Sequence, residues 1–323
     1  MAPLPYQEGI SKDIATGVMA TLAIFAMSVF MPIVGFLFSI FIPLPVLFYR
    51  TKLGRRNGLL VPAVAIALMG LIFGRITMDM LFFCGLMVLG FTMSEMFEKA
   101  ISVEMTILAT CAVVLGAVLI TIVFYSMAAD TGVVAMVTAY VATNLALSVE
   151  LYRGIGMPQE TIDAITGSLD QIQYVMVRIL PSLAAAATLF AAWTNLIAAR
   201  PIMQRSGLAY PDFGRLNHWR APDMLIWGVI ACGLVMLVPD TDIRLLGING
   251  LVVLLTVYFI QGIAIVSFFF EKKKLPRTIR IVLYTMIAIQ QFFLLLVVCI
   301  GLFDMWIDFR KIDTKKQEPD LPA

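Results

Sequence analysis

The chain has 323 residues, of which 61% are hydrophobic and only 14% are charged, and its mean hydropathy is +0.94. Soluble proteins carry about 45–50% apolar and about 25% charged residues, so this composition excludes an ordinary soluble globule. The formal net charge is +2 and no basic block resembles a nucleic-acid-binding arm, so we expect no nucleic-acid partner. The apolar residues lie in runs of about 17–25, which is typical of membrane-spanning helices.

The first apolar stretch, residues 14–49, is too long to be one span. As a single helix it would reach about 54 Å, whereas a hydrocarbon core is about 30 Å thick. Pro32 and Gly35 predict a break, and the two prolines of the second piece, Pro43 and Pro45, predict a kink or partial crossing there. The predicted spans are 14–31, 33–49, 58–74, 79–97, 103–127, 175–199, 223–239, 246–270 and 280–303.

Residues 128–174 are more polar than the spans that flank them. Within this segment, Val133 to Val149 is apolar enough to cross the bilayer but is interrupted by Thr138, Thr143 and Asn144. The following residues place Ile162 and its apolar neighbours at spacings of three and four, which predicts an amphipathic helix. We interpret the chain as a single membrane domain, 1–323, made of a five-span half (1–127), this amphipathic segment (128–174), a four-span half (175–303) and a polar tail (304–323).

The distribution of Lys and Arg favours nine spans over ten. Cytoplasmic loops collect these residues, which sets the orientation of a membrane protein. If 133–149 does not cross and the N-terminus is inside, 15 of them are cytoplasmic and 7 are external; if it crosses, the counts are 12 and 10. We therefore predict an all-α polytopic bundle of about nine spans (eight to ten), with 128–174 facing outward. This segment either packs on the bundle or forms a lid over an outward-facing cavity.

The sequence gives no indication of a cofactor, a metal site or an enzyme. Each of the four cysteines lies in an apolar run, none belongs to a CxxC pair, and His218 is the only histidine. The chain contains no GxSxG, HExxH, Walker or dinucleotide-binding motif. We expect no cofactor, no metal and no catalytic residues.

Polar side chains within spans are the candidates for a ligand pocket, because such groups are costly in lipid. Glu95 and Glu98 share a helix face at the predicted cytoplasmic end of their span, which indicates a solvated or ion-paired helix end or, alternatively, a proton or cation site. Arg178 lies at the predicted outer mouth of its span, where it could bind an anionic ligand or pair with Asp170. The predicted pocket residues are Asn144, Arg178, Asn195 and Gln290; the amides among them could instead form interhelical hydrogen bonds.

The most distinctive loop, residues 200–222, is predicted to be cytoplasmic. It contains Trp219 and Arg220, which suit the headgroup level of a bilayer, and Pro222 opens the next helix. The two side chains are predicted to anchor the loop at the membrane or to dock a protein partner.

The same loop carries a family resemblance. A span ending near Asn195, a Gly207 hairpin, Pro211-x-Phe213, Trp219-Arg220 and Pro222 resemble the YybS-like family of bacterial predicted membrane proteins, and the turn from Pro43-x-Pro45 to Gly58 fits it too. The resemblance implies a membrane domain of unknown function, remotely similar to the substrate-binding membrane subunits of energy-coupling-factor transporters. In those subunits an AxxxA face on the first span meets the energising module. The first span here is rich in Ala and Gly but has no strict AxxxA.

Three functions are compatible with the sequence. The first is a membrane component that binds or transports a small solute, with a separate energising partner or alone. The second is a scaffold that does not transport and that recruits a cytosolic protein through loop 200–222. The third, which the missing motifs disfavour, is an intramembrane enzyme acting on lipid or cell-wall precursors. Each places the protein in a bacterial cytoplasmic membrane in contact with lipids.

Overall fold

The computed structural model describes residues 5–31, 34–73 and 78–311. Every regular element within these residues is helical, which confirms the predicted all-α class. Pro32 and the tail from residue 312 lie outside the described residues. The helices are α1 (Pro5–Phe30), α2 (Gly35–Ser39), α3 (Pro43–Gly58), α4 (Leu60–Phe73), α5 (Met78–Glu98), α6 (Val103–Ala128), α7 (Val133–Gly154), α8 (Gln159–Gly167), α9 (Leu169–Arg205), α10 (Leu225–Val235), α11 (Thr241–Lys272), α12 (Arg277–Ile289) and α13 (Gln291–Ile307), with a 3₁₀ turn at Leu216–His218.

Seven stretches of these helices are long and apolar enough to cross a membrane, and the number rises to eight if α12 and α13 count as one broken span. This agrees with a polytopic membrane bundle. Two further predicted spans, 58–74 and 223–239, contain the shorter apolar helices α4 and α10. At 11 residues α10 extends about 16 Å, which is roughly half a hydrocarbon core.

Three predicted boundaries differ from the observed helices. The span predicted at 280–303 is not straight, because α12 and α13 differ in direction by 100°. The interrupted segment 133–149 lies in α7, one continuous helix of 22 residues that is long and apolar enough to be a span itself. Residues 304–311, assigned to the polar tail, include the buried side chains of Asp304 and Arg310.

The described residues form two compact units. The first comprises the residues up to Leu180 together with Ala187–Asp212, and the second comprises Pro181–Ala186 and the residues from Phe213 onward. The first unit therefore includes the polar segment 128–174 and most of α9.

Glycines let the helices of the first unit approach one another closely. A Cβ at Gly17 of α1 would touch the ring of Tyr49 in α3, and a Cβ at Gly90 of α5 would overlap the carbonyl of Pro43. Gly54 has φ of +76° and divides α3 into two helical pieces at a sharp turn. Close contact through small residues is the usual way in which membrane helices associate, because lipid provides no hydrophobic drive.

The second unit is built on the same kind of contact between α11 and α13. A Cβ at Gly262 would overlap the carbonyl of Val297, and a Cβ at Gly301 would overlap the carbonyl of Tyr258. The two helices therefore meet backbone to backbone along this line. Gly228 in α10 faces Leu254 of α11, so α10 packs on the same long helix.

Candidate functional site

Between α2 and α3, at residues 40–42, the α-helical hydrogen bonding is interrupted although Ile40 and Ile42 keep right-handed helical φ and ψ. Pro43 and Pro45 lack the amide hydrogens that a regular α-helix would use here, and the amides of Phe41, Ile42 and Leu44 donate to the carbonyls three residues earlier. Ser39 and Ile42 are buried at this interruption. Irregular backbone at membrane depth persists only where other protein groups or a polar cavity satisfy it.

Asn195 of α9 satisfies this interruption. Its side chain is fully buried, and its Nδ2 donates to the carbonyl of Ile40 at 2.7 Å and to that of Ala191 at 2.8 Å. Its Oδ1 has no hydrogen-bond partner within the described part of the chain. A buried polar atom without a partner costs free energy, so this acceptor is a point where a donor group of a ligand would gain a hydrogen bond.

The interruption lies well inside the helices that surround it. Ile42 precedes Arg50 of α3 by eight residues, or about 12 Å of helix, and Asn195 precedes Arg200 by five residues, or about 8 Å, and Arg205 by ten residues, or about 15 Å. Half of a hydrocarbon core is about 15 Å. If Arg50 and Arg205 lie at the membrane surface and the Arg200 side chain extends toward it, the interruption lies near the middle of the bilayer. We call Ile40, Pro43, Gly90 and Asn195 the midplane site.

A buried ion-pair cluster lies on the charged side of the midplane site. The Arg50 side chain is fully buried and pairs with the carboxylates of Glu95 and Glu98 in α5, and Nη1 donates to the Ser94 carbonyl at 3.3 Å. The guanidinium also lies 5.7 Å from the ring centroid of Phe91. The ion-paired helix end predicted for Glu95 and Glu98 is thus present, with Arg50 as the partner.

The role of this cluster is to hold two helices together. Arg50 is held by two carboxylates, a carbonyl and a ring, all on α5, so it fixes α3 against α5 below the interruption. Gly58 makes the burial feasible, since a Cβ there would overlap the backbone of Arg50. Arg55 adds a second, exposed cation 3.4 Å from Glu95.

The second unit contains a separate buried polar network. Arg310 donates from Nη2 to Oδ2 of Asp304 at 2.7 Å, and Gln261 of α11 donates to the same oxygen at 3.2 Å. Arg310 Nη1 donates to the carbonyls of Asn217 and Trp219 at 3.1 and 2.9 Å. The amide of Ala221 donates to Gln261 Oε1 at 3.1 Å. These bonds fix residues 217–221 against the middle of α11 and the C-terminal end of α13.

Surface groups complete the attachment of this loop. Glu271 at the end of α11 accepts from Arg215 at 2.7 Å and from Asn217 at 2.5 Å. His218 packs edge-on against Phe268 with ring centroids 5.2 Å apart. Partial burial, reinforced by Arg215 and Arg310, lowers the pKa of His218 below its usual value, so the imidazole is neutral at physiological pH.

The predicted pocket residues lie at different places. Asn144 is exposed on α7 and donates to the Tyr140 carbonyl of its own helix at 2.9 Å. Arg178 lies 3.5 Å from the ring centroid of Tyr174, one turn earlier on α9. Gln290 is the exposed residue at the bend between α12 and α13. Asn195 alone of the four belongs to the midplane site.

The predicted interface residues Trp219 and Arg220 both lie in the fixed loop of the second unit. The carbonyl of Trp219 accepts from Arg310, and Arg220 donates to the carbonyl of Met305 at 3.2 Å. Both side chains are half-buried. Sequence reasoning missed Asp304 and Arg310; their only signal is one acid and one base, six residues apart, after an apolar run.

The described residues contain no group of three His, Cys, Asp or Glu side chains placed to hold a metal ion. The midplane site offers one unpaired acceptor, Asn195 Oδ1, which can accept a hydrogen bond from a donor group. It contains no nucleophile or acid–base pair.

Comparison with known proteins gives a family and no individual relative. Neither a curated protein nor a solved structure matches the chain. Residues 19–305 match the family described as "Predicted membrane protein (DUF2232)", which is consistent with the YybS-like resemblance. Since this match covers most of the chain, the protein belongs to the DUF2232 family of predicted membrane proteins.

Proposed function

We propose that this protein is a small-solute-binding component of a bacterial cytoplasmic membrane, with its binding position at the midplane site. One observation carries the proposal: the fully buried Asn195 donates to the Ile40 carbonyl where the α2–α3 hydrogen bonding is interrupted, and its own acceptor stays unpaired. Many transporters bind their substrates near the bilayer midplane, where the regular hydrogen bonding of a helix is broken. A solute with a hydrogen-bond donor would complete the unpaired acceptor.

The Arg50 cluster supports the same function because of its position. It fixes α3 to α5 between the midplane site and the predicted cytoplasmic surface. Movement of a solute past the site toward that surface would require these ion pairs to part. On this proposal the cluster is the inner barrier, and a separate energising protein or the solute gradient supplies the free energy that opens it.

Thermal-shift screening of the detergent-solubilised protein tests the proposal. Vitamins, nucleobases and other small donors are added one at a time, because a ligand raises apparent stability by about 2.7 kcal/mol at a hundredfold excess over its Kd. The shift produced by a true ligand should be lost in Asn195→Ala.

A matched control is available in the second unit. Asn249 of α11 also donates to the carbonyl four residues earlier, Leu245, at 2.7 Å, as Asn195 does to Ala191. Asn249→Ala should keep the ligand-induced shift. A ligand whose shift survives in Asn195→Ala, or disappears in both variants, would contradict binding at the midplane site.

A second candidate function is a docking scaffold, and the network around Arg310 favours it. A loop whose carbonyls are held by a buried guanidinium presents its outer side chains in one fixed geometry, which lowers the entropy cost of binding a partner. Photo-crosslinking from position 215 in cells should then capture a defined cytosolic protein, and Trp219→Ala should abolish the capture without changing thermal stability. Capture that is unaltered by this substitution would count against the scaffold.

A further inference from the structure

An open groove of about 830 Å³ lies along α1 in the first unit, with walls from α1 and α4. The apolar wall consists of Ile10, Ile14, Val18 and Met19 of α1 with Leu60 and Val64 of α4. Met19, Leu60 and Val64 are 71%, 45% and 39% exposed, so the groove is an open furrow and not a closed cavity. Its far side is closed where Gly17 brings α1 against Tyr49 and Val61.

The groove is polar only at one end. Its polar lining residues are Ser11 and Asn57, and both belong to the end of the unit that carries the basic turn at 50–56, with its four Arg and Lys residues. Lys52 of that turn pairs with Asp13 of α1 at 2.7 Å, which ties the two elements together at this level. An apolar groove with one polar end matches a lipid in shape and polarity. The acyl chain would lie along the apolar wall, and the headgroup would lie at the polar rim.

The charge at the polar rim of the groove indicates which lipid headgroup would bind there. Lys12 lies next to Ser11, Arg56 lies next to Asn57, and both cations are exposed. The described carboxylates nearby are already engaged, since Asp13 pairs with Lys52 and Glu95 with Arg50 and Arg55. The rim therefore carries uncompensated positive charge among the side chains that the structure describes.

The backbone near Arg56 also favours an anion at the rim. The left-handed Gly54 ends the first piece of α3, and a new helical piece that includes Arg55–Gly58 starts after it. The amide of Leu59 donates to the Arg55 carbonyl and that of Ala63 to the Leu59 carbonyl, so helical hydrogen bonding continues into α4. Arg56 and Asn57 thus occupy a first helical turn, where the amide groups and the helix dipole favour an anion.

We propose that this groove binds one anionic glycerophospholipid, with an acyl chain against α1 and α4 and its phosphate between Lys12 and Arg56. The lipid would cover the apolar furrow, and its charge would neutralise the rim. The site is distinct from the midplane site and does not depend on the function proposed there.

The test uses the purified full-length chain with defined lipids. Native mass spectrometry and thermal melting are recorded with phosphatidylglycerol, phosphatidylethanolamine and phosphatidylcholine of identical acyl chains. Phosphatidylglycerol should bind and stabilise more than the two zwitterionic lipids. Lys12→Gln and Arg56→Gln should each weaken its binding about fivefold, because one cation near a membrane surface contributes about that factor.

Two further variants separate the groove from general surface charge. Lys99→Gln removes an exposed cation at the end of α5 that does not line the groove, and it should leave lipid binding unchanged. Ala15→Trp fills the groove with no change of charge, and it should weaken phosphatidylglycerol binding as strongly as the charge variants. Soluble glycerol phosphate should neither stabilise the protein nor compete.

Each opposite result overturns the proposal. Equal stabilisation by all three lipids would mean that the rim does not recognise charge. An equal loss in Lys99→Gln would mean that diffuse surface charge attracts the lipid. Unchanged binding in Ala15→Trp would place the lipid outside the groove, and competition by glycerol phosphate would indicate an anion site that needs no acyl chain.

Discussion

Arg310 and Asp304 form an ion pair at 2.7 Å in which neither side chain has more than 1% of its surface exposed. Asp304 lies in the last turn of α13 and Arg310 follows the helix, and the pair joins α13 to the loop at 217–221 through the Asn217 and Trp219 carbonyls. A buried charge tolerates such a position only when its partner is present.

Asp304→Asn should therefore destabilise the second unit by about 3–5 kcal/mol, because it leaves the Arg310 guanidinium buried without a counter-charge. Chemical unfolding in detergent micelles measures the change. Asp223→Asn is the matched control, since that carboxylate is 72% exposed and 3.8 Å from Arg220, and its removal should cost less than about 1 kcal/mol. Similar effects of the two variants would show that the Arg310 pair is not buried in the native protein.

Arg50→Met should destabilise the first unit by about 1–3 kcal/mol. The loss is smaller than for a fully buried pair, because Glu95 and Glu98 keep 20% and 55% of their side-chain surface exposed and stay partly hydrated. Arg56→Met, which removes an exposed cation six residues later, should have little effect in a lipid-free melt. Arg50→Lys should restore only part of the loss, since an ammonium cannot bridge two carboxylates as a guanidinium does.

Gly262→Ala and Gly301→Ala should each lower the stability of the second unit, because the added methyl group overlaps a backbone carbonyl that cannot move without separating α11 from α13. Overpacking of this kind costs about 1–3 kcal/mol. Gly116→Ala in α6 is the opposite case, as its Cβ would meet nothing within 4 Å. That variant should stabilise its helix by about 0.5–1 kcal/mol. A neutral Gly301→Ala would contradict the close packing of these helices.

The stability of the second unit should fall as the pH drops below about 6.5, the ordinary pKa of histidine. The pKa of His218 is lowered in the folded chain by burial and by Arg215 and Arg310. Below pH 6.5 the unfolded chain therefore binds a proton that the folded chain resists, and unfolding is favoured. Melting curves between pH 8 and 5 should show this loss, and His218→Gln should remove it while leaving the loss due to other groups. An unchanged pH profile in His218→Gln would contradict the neutral imidazole.

The nine-span arrangement predicts that α7 does not cross the bilayer. It places both ends of this helix outside, so single cysteines introduced at Asp130 and Gly156 in a background without native cysteines should both react with a membrane-impermeant thiol reagent in intact cells. A cysteine at Lys273 should be protected. Protection at position 156 together with labelling at 130 would mean that α7 crosses the bilayer, and every later loop would then change sides.

Hydropathy and periodicity predicted the all-α membrane class because a long apolar run in lipid must satisfy its own backbone hydrogen bonds, as an α-helix does. The same signals indicated Asn195, since an amide inside an apolar run needs a partner. They could not identify that partner, because the Ile40 carbonyl is 155 residues away and is free only where prolines interrupt the helix.

Burial of charge was harder to predict. Arg50 stands at the end of an apolar run and resembles a solvated turn residue, yet Gly58 lets the backbone fold over it. Arg310 likewise follows an apolar run, so in the sequence it resembles a solvated residue of the tail. Asn144, Arg178 and Gln290 show the converse: a polar residue among apolar ones can be satisfied by its own helix or lie at a bend, and a single sequence does not distinguish these cases.

The 100° bend at Gln290 has a consequence for the two leaflets. With α13 along the bilayer normal, α12 runs almost parallel to the membrane plane, and its 13 residues extend about 20 Å sideways. A helix in that orientation takes up area in one monolayer only. In that orientation α12 would widen the second unit in one leaflet and not in the other.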